Sequence, residues 1–513
     1  MSTSSTQASP FTSGQLALLT VGLALGTFME VLDTSIANVA VPTIAGNLGV
    51  SANQGTWVIS SYSVAAAIAV PLTGWLARRY GETRLFITSL ICFTLASMLC
   101  GLAPNMSTLV FFRLLQGLVS GPMVPLSQTI LMRSYPPHKR GMAMAFWSMT
   151  VVVAPILGPL MGGWITDNYH WSWIFYINMP VGIVSALITL TLLKGRETAV
   201  TRIPIDIIGL GLLVVGIGSL QMMLDLGNDR DWFSSSFILG LGICALVGLV
   251  FLVIWEWDEE HPIVDLRLFS QRNFALGVTM LGIGFMAFFS TVVIFPLWLQ
   301  QVMGYTSALA GLATAPSGLL ALVFSPIIGK NLHRWDARAV ISIGFITFAV
   351  VSFWGGSFTL DSSFAQVVAP RFLQGLGIAC FFVPINGLIL SGIEEHRLAS
   401  ASGLSNFIRT LSAAIGTSIS VTLWDHRASF HHARISEGVI QGAPVTQDYF
   451  SGLNQLGFSL EQAQIRVENM ITAQSYMMAA NDFYNLCGVV FILMIGLVWM
   501  TRPKRGGAPL SGH

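Results

Sequence analysis

From Met1 to Ala77 the chain contains no lysine or arginine, and its only carboxylates there are Glu30 and Asp33. That stretch far exceeds the roughly 18 to 20 apolar residues that carry one helix across a bilayer. In lipid every backbone polar group needs an internal partner, so such a chain is driven into helices. With 53% hydrophobic and only 10% charged residues, the remainder cannot furnish a soluble surface either. The expectation is an all-α polytopic membrane protein embedded in a lipid bilayer. A net charge of +1 leaves no basic face for nucleic acid. The five cysteines, Cys92, Cys100, Cys244, Cys380 and Cys487, lie in apolar stretches without zinc or disulfide spacings. The polar start lacks the basic region of a signal peptide, so the first apolar segment reads as a retained helix.

Apolar segments fall at 16–40, 57–77, 85–103, 107–131, 142–165, 173–193, 207–225, 236–255, 274–297, 307–329, 339–358, 366–391, 401–423 and 479–500, predicting fourteen spans. Eighteen lysines and arginines follow even-numbered spans and four lie on the other side. By the positive-inside rule both termini, a tail over 1–15 and another over 501–513, are cytoplasmic. One long outer loop, 425–478, contains SLEQAQIRVENMITAQSYMM, an amphipathic helix with Ser459 and Gln462 as a capping box. Packing on its own helices and docking a partner both fit that loop.

The chain repeats itself. PLTGWLARRY from Pro71 is echoed by PIIGKNLHRW from Pro326 at offset 255, RLLQGL from Arg113 by RFLQGL from Arg371 at offset 258, and HKR by EHR at offset 257. These anchors pair the second span with the tenth and the fourth with the twelfth. Two spans, 207–255, are therefore inserted between six-helix bundles at 16–193 and 274–500. Halves repeated in parallel are the architecture of rocking-bundle secondary transporters, with the ligand site between them.

LDTSIANVAVP (Leu32–Pro42), QGTWVISSY (Gln54–Tyr62), RLLQGLVSGP (Arg113–Pro122), APILGPLMGG (Ala154–Gly163) and SNFIRTLSAAIGTS (Ser405–Ser418) together resemble the major facilitator superfamily fold, specifically its fourteen-helix EmrB/QacA-type drug:proton antiporters. The resemblance implies export of small hydrophobic drugs, a proton as coupling ion and no other cofactor. It also implies a bacterial inner membrane, an EmrA-like periplasmic membrane-fusion adaptor and a TolC-like outer-membrane channel. Gly158, Pro159, Gly162 and Gly163 match its antiporter motif, and Gly74, Arg78, Arg79 and Gly81 its cytoplasmic gate. One departure is Arg78, which stands where that gate motif has an aspartate; whether Glu82 substitutes is left open.

Buried charges carry the chemistry. Asp33 and Arg113 lie ~10 and ~9 Å from the outer ends of their helices, at matching depth. Desolvation opposes ionisation of a buried acid and a guanidinium favours it, so an acid under both is able to exchange protons near neutral pH. Glu30 sits one turn deeper on the same face, and two close acids resist ionising together. Proton coupling is therefore assigned to Asp33, Glu30 and Arg113, with Arg371 either a counterpart or a structural pin. Arg409 lacks a repeat mate, which fits substrate contact, a carbonyl partner or pairing with Asp482.

The expected substrate cavity comprises Phe28, Trp57, Tyr62, Phe288, Phe289, Gln301, Phe381, Asn386, Asn406 and Arg409, because aromatic walls suit varied apolar ligands. Trp171, Trp173, Trp255 and Trp257 read as interface anchors. No phosphate-binding G-x-x-x-x-G-K-[ST] pattern occurs, which argues against ATP as the energy source. No H-E-x-x-H or similar constellation points to an enzyme. Uptake, or export of one metabolite or fatty acid, are the alternatives.

Overall fold

The computed structural model describes residues 11–136, 139–198, 200–201, 204–260, 262–439 and 444–502. His138, Arg202, Lys504 and Arg505 lie outside them. Among the described residues, fourteen helical traverses follow one another. They are α1 (Ser13–Asn47), α2 (Trp57–Ala69 with Thr73–Tyr80), α3 (Glu82–Gly101), α4 (Met106–Ser120 with Met123–Ser134), α5 (Arg140–Asn168), α6 (Trp173–Tyr176 with Asn178–Leu193) and α7 (Ile207–Leu226). Then come α8 (Ser236–Asp258), α9 (Arg272–Gln301), α10 (Ser307–Thr314 with Pro316–Asn331), α11 (Ala337–Gly355), α12 (Phe364–Ile389), α13 (Leu398–Gly438) and α14 (Leu460–Trp499).

Eleven of these are long and apolar enough to cross a membrane, and the bent α2 and α5 bring the number to 13. The remaining traverse, α13, is more polar, because Arg409 and many serines and threonines interrupt its apolar residues. Local chemistry sets the ends. Thr12, Ser363 and Ser459 start α1, α12 and α14 with full capping boxes, and Asn105, Asp206 and Asp336 cap α4, α7 and α11. Pro71 cannot continue the ladder of α2, which turns by 60° there.

Within each half the same pairs meet: α1 with α5 and α9 with α13, α2 with α4 and α10 with α12. The halves join through α5 with α10, and through α2 and α4 with α13. The inserted α7 and α8 pack closely on each other, where Gly216 faces Gly248, and α7 lies against α2 and α13. Ser418 of α13 donates to the Leu224 carbonyl at 2.9 Å. The outer side of α8 exposes Leu246, Phe251 and Ile254 to the apolar layer.

Two expectations change. The segment 425–478 is not one long loop: α13 continues to Gly438 and α14 begins at Leu460, the predicted amphipathic helix running straight into the last span. Asp482 of α14 ties these extensions together by accepting from Arg427 and from His431, the latter at 2.7 Å. Trp171 is no interface anchor, since it is 2% exposed in the first-half core, whereas Trp173 and Trp257 are about half exposed.

The α2–α4 seam is so close that a side chain at Gly117 would meet the Tyr62 carbonyl and the Ala65 methyl. Overpacking of this kind costs about 1 to 3 kcal/mol. Gly117→Val is expected to lower the melting temperature of the detergent-solubilised protein, read by its loss of monodispersity on heating, while Gly163→Val, in open space, leaves it unchanged.

Candidate functional site

Asp33 sits at the centre of the first bundle, 2% exposed, and three donors converge on its carboxylate. Arg113 Nη1 of α4 donates to Oδ2 at 2.6 Å. Gln116 Nε2 and Asn178 Nδ2 donate to Oδ1 at 3.2 and 2.6 Å. Asn178 also donates to Ser97 Oγ at 2.9 Å, so α1, α3, α4 and α6 meet at one acid. Arg113 is wholly buried; its Nε donates to the Val58 carbonyl of α2 at 3.0 Å, its Nη1 also to Gln116 Oε1 at 2.8 Å, and it lies 4.4 Å from the Tyr62 ring. Its Nη2 has no hydrogen-bond partner. A buried ion pair is sustained only when its remaining polar atoms are met as well, and here nearly all are.

The second half repeats this geometry without the acid. Arg371 donates to Gln374 at 2.8 Å, as Arg113 does to Gln116, but Phe295 lies 3.5 Å from its guanidinium and Tyr484 accepts at 3.4 Å. Arg371 thus has no carboxylate partner among the described residues and stands on the wall of a cavity. That cavity, a narrow space of ≈ 40 Å³ between the halves, is lined by Val151 and Pro155 of α5, Phe285, Phe288, Phe289 and Phe295 of α9, and Gln374 and Phe382 of α12.

Glu30 is buried one turn from Asp33, and its Oε2 has no hydrogen-bond partner among the described residues. The opposite charge acting on it most strongly is Arg409 of α13, across the junction of the halves. Arg409 is held between the rings of Trp147 and Phe285, 5.7 and 5.8 Å from their centroids. It does not reach Asp482, which belongs to the Arg427 and His431 cluster of the outer extensions.

The expected cavity residues separate into groups. Phe288 and Phe289 line the cavity. Tyr62 instead lies under Arg113, and Phe28 packs half-buried in the first bundle. Phe381 faces Phe345 and Phe348 in the aromatic core of the second bundle. Trp57 and Gln301 are exposed, because each stands at a helix end beyond the cavity's depth. Asn386 and Asn406 meet at Gln128 of α4: Gln128 donates to Asn386 at 3.2 Å and accepts from Asn406 at 2.9 Å and from Ser402 at 2.6 Å. This knot joins the halves below the cavity.

Gly158 and Gly162 bring α5 against Ser35 and Ile36 of α1, and Ser35 donates to the Pro155 carbonyl at 3.0 Å. A side chain added at Gly163 would meet open space, and the Pro159 side chain lies outside the described residues. At the arginine-rich end, Gly74 abuts Ser400 of α13, and Arg78 donates to the Pro262 carbonyl at 3.4 Å. Gly81 has φ +89° and no room for a side chain beside Glu197, whose carboxylate accepts from the Thr83 and Arg84 amides. The Arg79 guanidinium lies 5.3 Å from the centroid of the Trp75 ring. Glu82 pairs with Arg133 at 2.9 Å inside the first half.

Sequence reading missed Gln116, Asn178, Ser97 and Gln128. The signal for Gln116 was present: RLLQGL and RFLQGL repeat the glutamine together with the arginine, i+3 on one helical face. Asn178, Ser97 and Gln128 carry no such mark.

Two repeated helical bundles around a buried acid–guanidinium pair, with an apolar cavity between them, define a polytopic membrane carrier. The Major Facilitator Superfamily profile matches residues 23–417. The chain belongs to that superfamily. It is 49% identical over 507 residues, 99% of each chain, to the multidrug export protein EmrB of Escherichia coli (strain K12). It is also 49% identical over 494 residues, 96% of this chain and 97% of the relative, to the fatty acid resistance protein FarB of Neisseria gonorrhoeae. The solved structure of the proton:xylose symporter XylE shares the fold, with a TM-score of 0.60 at 15% identity over 95% of this chain and 96% of that one.

Removing one partner of a buried ion pair leaves an uncompensated charge, at a cost of about 3 to 5 kcal/mol. Arg113→Met is expected to lower thermal stability in detergent sharply, and Arg113→Met with Asp33→Asn to recover most of it without recovering transport. Thermal denaturation of both variants beside a drug-resistance assay measures this.

Proposed function

We propose that this protein is a proton-driven multidrug exporter of hydrophobic and amphipathic compounds, with Asp33 as its proton carrier. The observation that carries the reading is the convergence of Arg113, Gln116 and Asn178 on one buried carboxylate. When a proton neutralises Asp33, its charge-assisted bonds weaken and the tie between α1, α4 and α6 loosens. Arg113 then falls back on Val58 and Gln116, which it already touches, so the pair opens for much less than its full rupture. A proton crossing ~100 mV supplies ~2.3 kcal/mol, the right order for such a switch.

The cavity's phenylalanine walls suit apolar ligands of varied shape. High identity over the whole length to a multidrug export protein supports the same reading. Arg371 on the cavity wall favours a second one, export of a fatty acid or similar amphipathic carboxylate, which the likeness to a fatty acid resistance protein also supports. The setting we infer is a bacterial inner membrane with both termini cytoplasmic. An EmrA-like membrane-fusion adaptor and a TolC-like outer-membrane channel complete the pump. The extensions of α13 and α14, with the segment that joins them, then form the docking element, in which Leu456, Leu460 and Ile465 are 76%, 68% and 55% exposed.

In everted vesicles energised to an acidic lumen, added drug is expected to release protons through the wild-type chain and not through Asp33→Asn, although both insert equally. Normal drug-induced release by Asp33→Asn rules out this assignment. For the assembly, Leu456→Asp, Leu460→Asp and Ile465→Asp together are expected to abolish co-purification with an adaptor while leaving proton release by drug intact. Undiminished adaptor capture refutes docking at this surface.

A further inference from the structure

The arginine-rich end is held shut in part by a residue from outside both six-helix bundles. Asp265 lies in the connection between the inserted α8 and α9. Arg397, in the turn between α12 and α13, forks onto it: Nε donates to Oδ2 at 2.9 Å and Nη2 to Oδ1 at 2.8 Å. Opposite stands Arg78 of the first bundle, donating to the Pro262 carbonyl of the same connection and within electrostatic reach of both Asp265 and Arg397. Three charged groups from the first bundle, the inserted segment and the second bundle thus form a short row, in which Asp265 bonds Arg397 directly and Arg78 bonds the backbone of the connection that carries Asp265.

The surroundings show what the row closes. On the same turn of α2, Gly74 lies 2.8 Å, measured from an added Cβ, from the Cα of Ser400 at the start of α13. Across the junction, the Gly141 and Gly329 backbones of α5 and α10 approach equally closely. The other connection of the inserted pair grips the same turn from the opposite side. Thr201 N donates to the Arg78 carbonyl at 2.9 Å and Trp75 Nε1 to the Pro204 carbonyl at 3.2 Å. Glu82 is already committed to Arg133 within the first bundle, so it does not supply a carboxylate to this row.

We propose that Asp265 is the latch of the arginine-rich gate, locking the two halves together at that end, and that the inserted helix pair serves to place it there. Without a carboxylate between them, Arg78 and Arg397 repel each other and the closed arrangement loses ground to one open at this end. The row includes no substrate, so Asp265 is a positioning residue. The proposal rests on alternating access by two rocking halves. Its test reads that motion directly, separate from proton coupling or drug identity.

Spin labels are placed at Tyr80→Cys and Arg334→Cys, exposed positions on opposite halves at this end, in a chain whose five native cysteines are replaced by alanine. Electron–electron distances are measured on the full protein in nanodiscs. Asp265→Asn is expected to raise the ratio of long to short distances by about fivefold or more. Adding Arg78→Asp, which places a carboxylate directly beside Arg397, is expected to return the ratio to that of the parent. Arg78→Gln leaves the Asp265–Arg397 pair intact, so it keeps the test decisive if Asp265→Asn does not fold; it is expected to shift the ratio the same way. An unchanged ratio in Asp265→Asn or Arg78→Gln overturns the latch, as does failure of Arg78→Asp to restore it. Drug-driven proton release by the parent chain, measured alongside, reports on the proposed function independently of these outcomes.

Discussion

The pairing of Asp33 with Arg113 is the interaction on which the first bundle is arranged. A charge in the apolar layer is tolerated only with its partner and hydrogen bonds in place. Here those partners come from α1, α2, α3, α4 and α6, so the helices are fixed by what one carboxylate and one guanidinium require. The second bundle keeps the arginine and its glutamine but fills the acid's place with the Phe295 ring. The repeat has thus diverged into a half that holds a buried acid and a half that turns its arginine toward a phenylalanine-walled cavity.

Between them, polar and small residues alternate in depth. Glu30 faces Arg409 beside the cavity; Gln128, Asn386, Asn406 and Ser402 bind the halves below it; glycine contacts and the Arg78–Asp265–Arg397 row lie at the end. In the proposed cycle a small displacement of α1 relative to α4 would change what Glu30 presents to α13, and because packed interfaces switch between discrete arrangements, it would be transmitted as rocking of a whole half.

How much of this the sequence discloses depends on how rare each residue is in its setting. Glu30, Asp33, Arg113, Arg371 and Arg409 stand out because charges in apolar runs are costly, and Asp33 and Arg113, at matching depth in the sequence, form an ion pair. Asn178 and Ser97 do not stand out, since uncharged polar residues are common in packed helices and only tertiary contact gives them a role. Trp57 and Gln301 stand exposed at helix ends, and composition does not report depth along a helix. Asp265 was hidden for the opposite reason: in a short polar connection an aspartate is unremarked until its neighbours are known. The outer extensions looked like a loop because their helices are polar, and it is the Arg427–Asp482–His431 cluster that holds them as continuations of spans.

The central claim is that Asp33 gains and loses a proton during the transport cycle. Infrared difference spectroscopy of the reconstituted protein tests it most directly, following the protonated-carboxyl C=O band that is absent from the Asp33→Asn variant. The account predicts that this band appears when the medium is acidified and disappears when drug is added. A carboxylate at Asp33 that stays ionised under both conditions would contradict it.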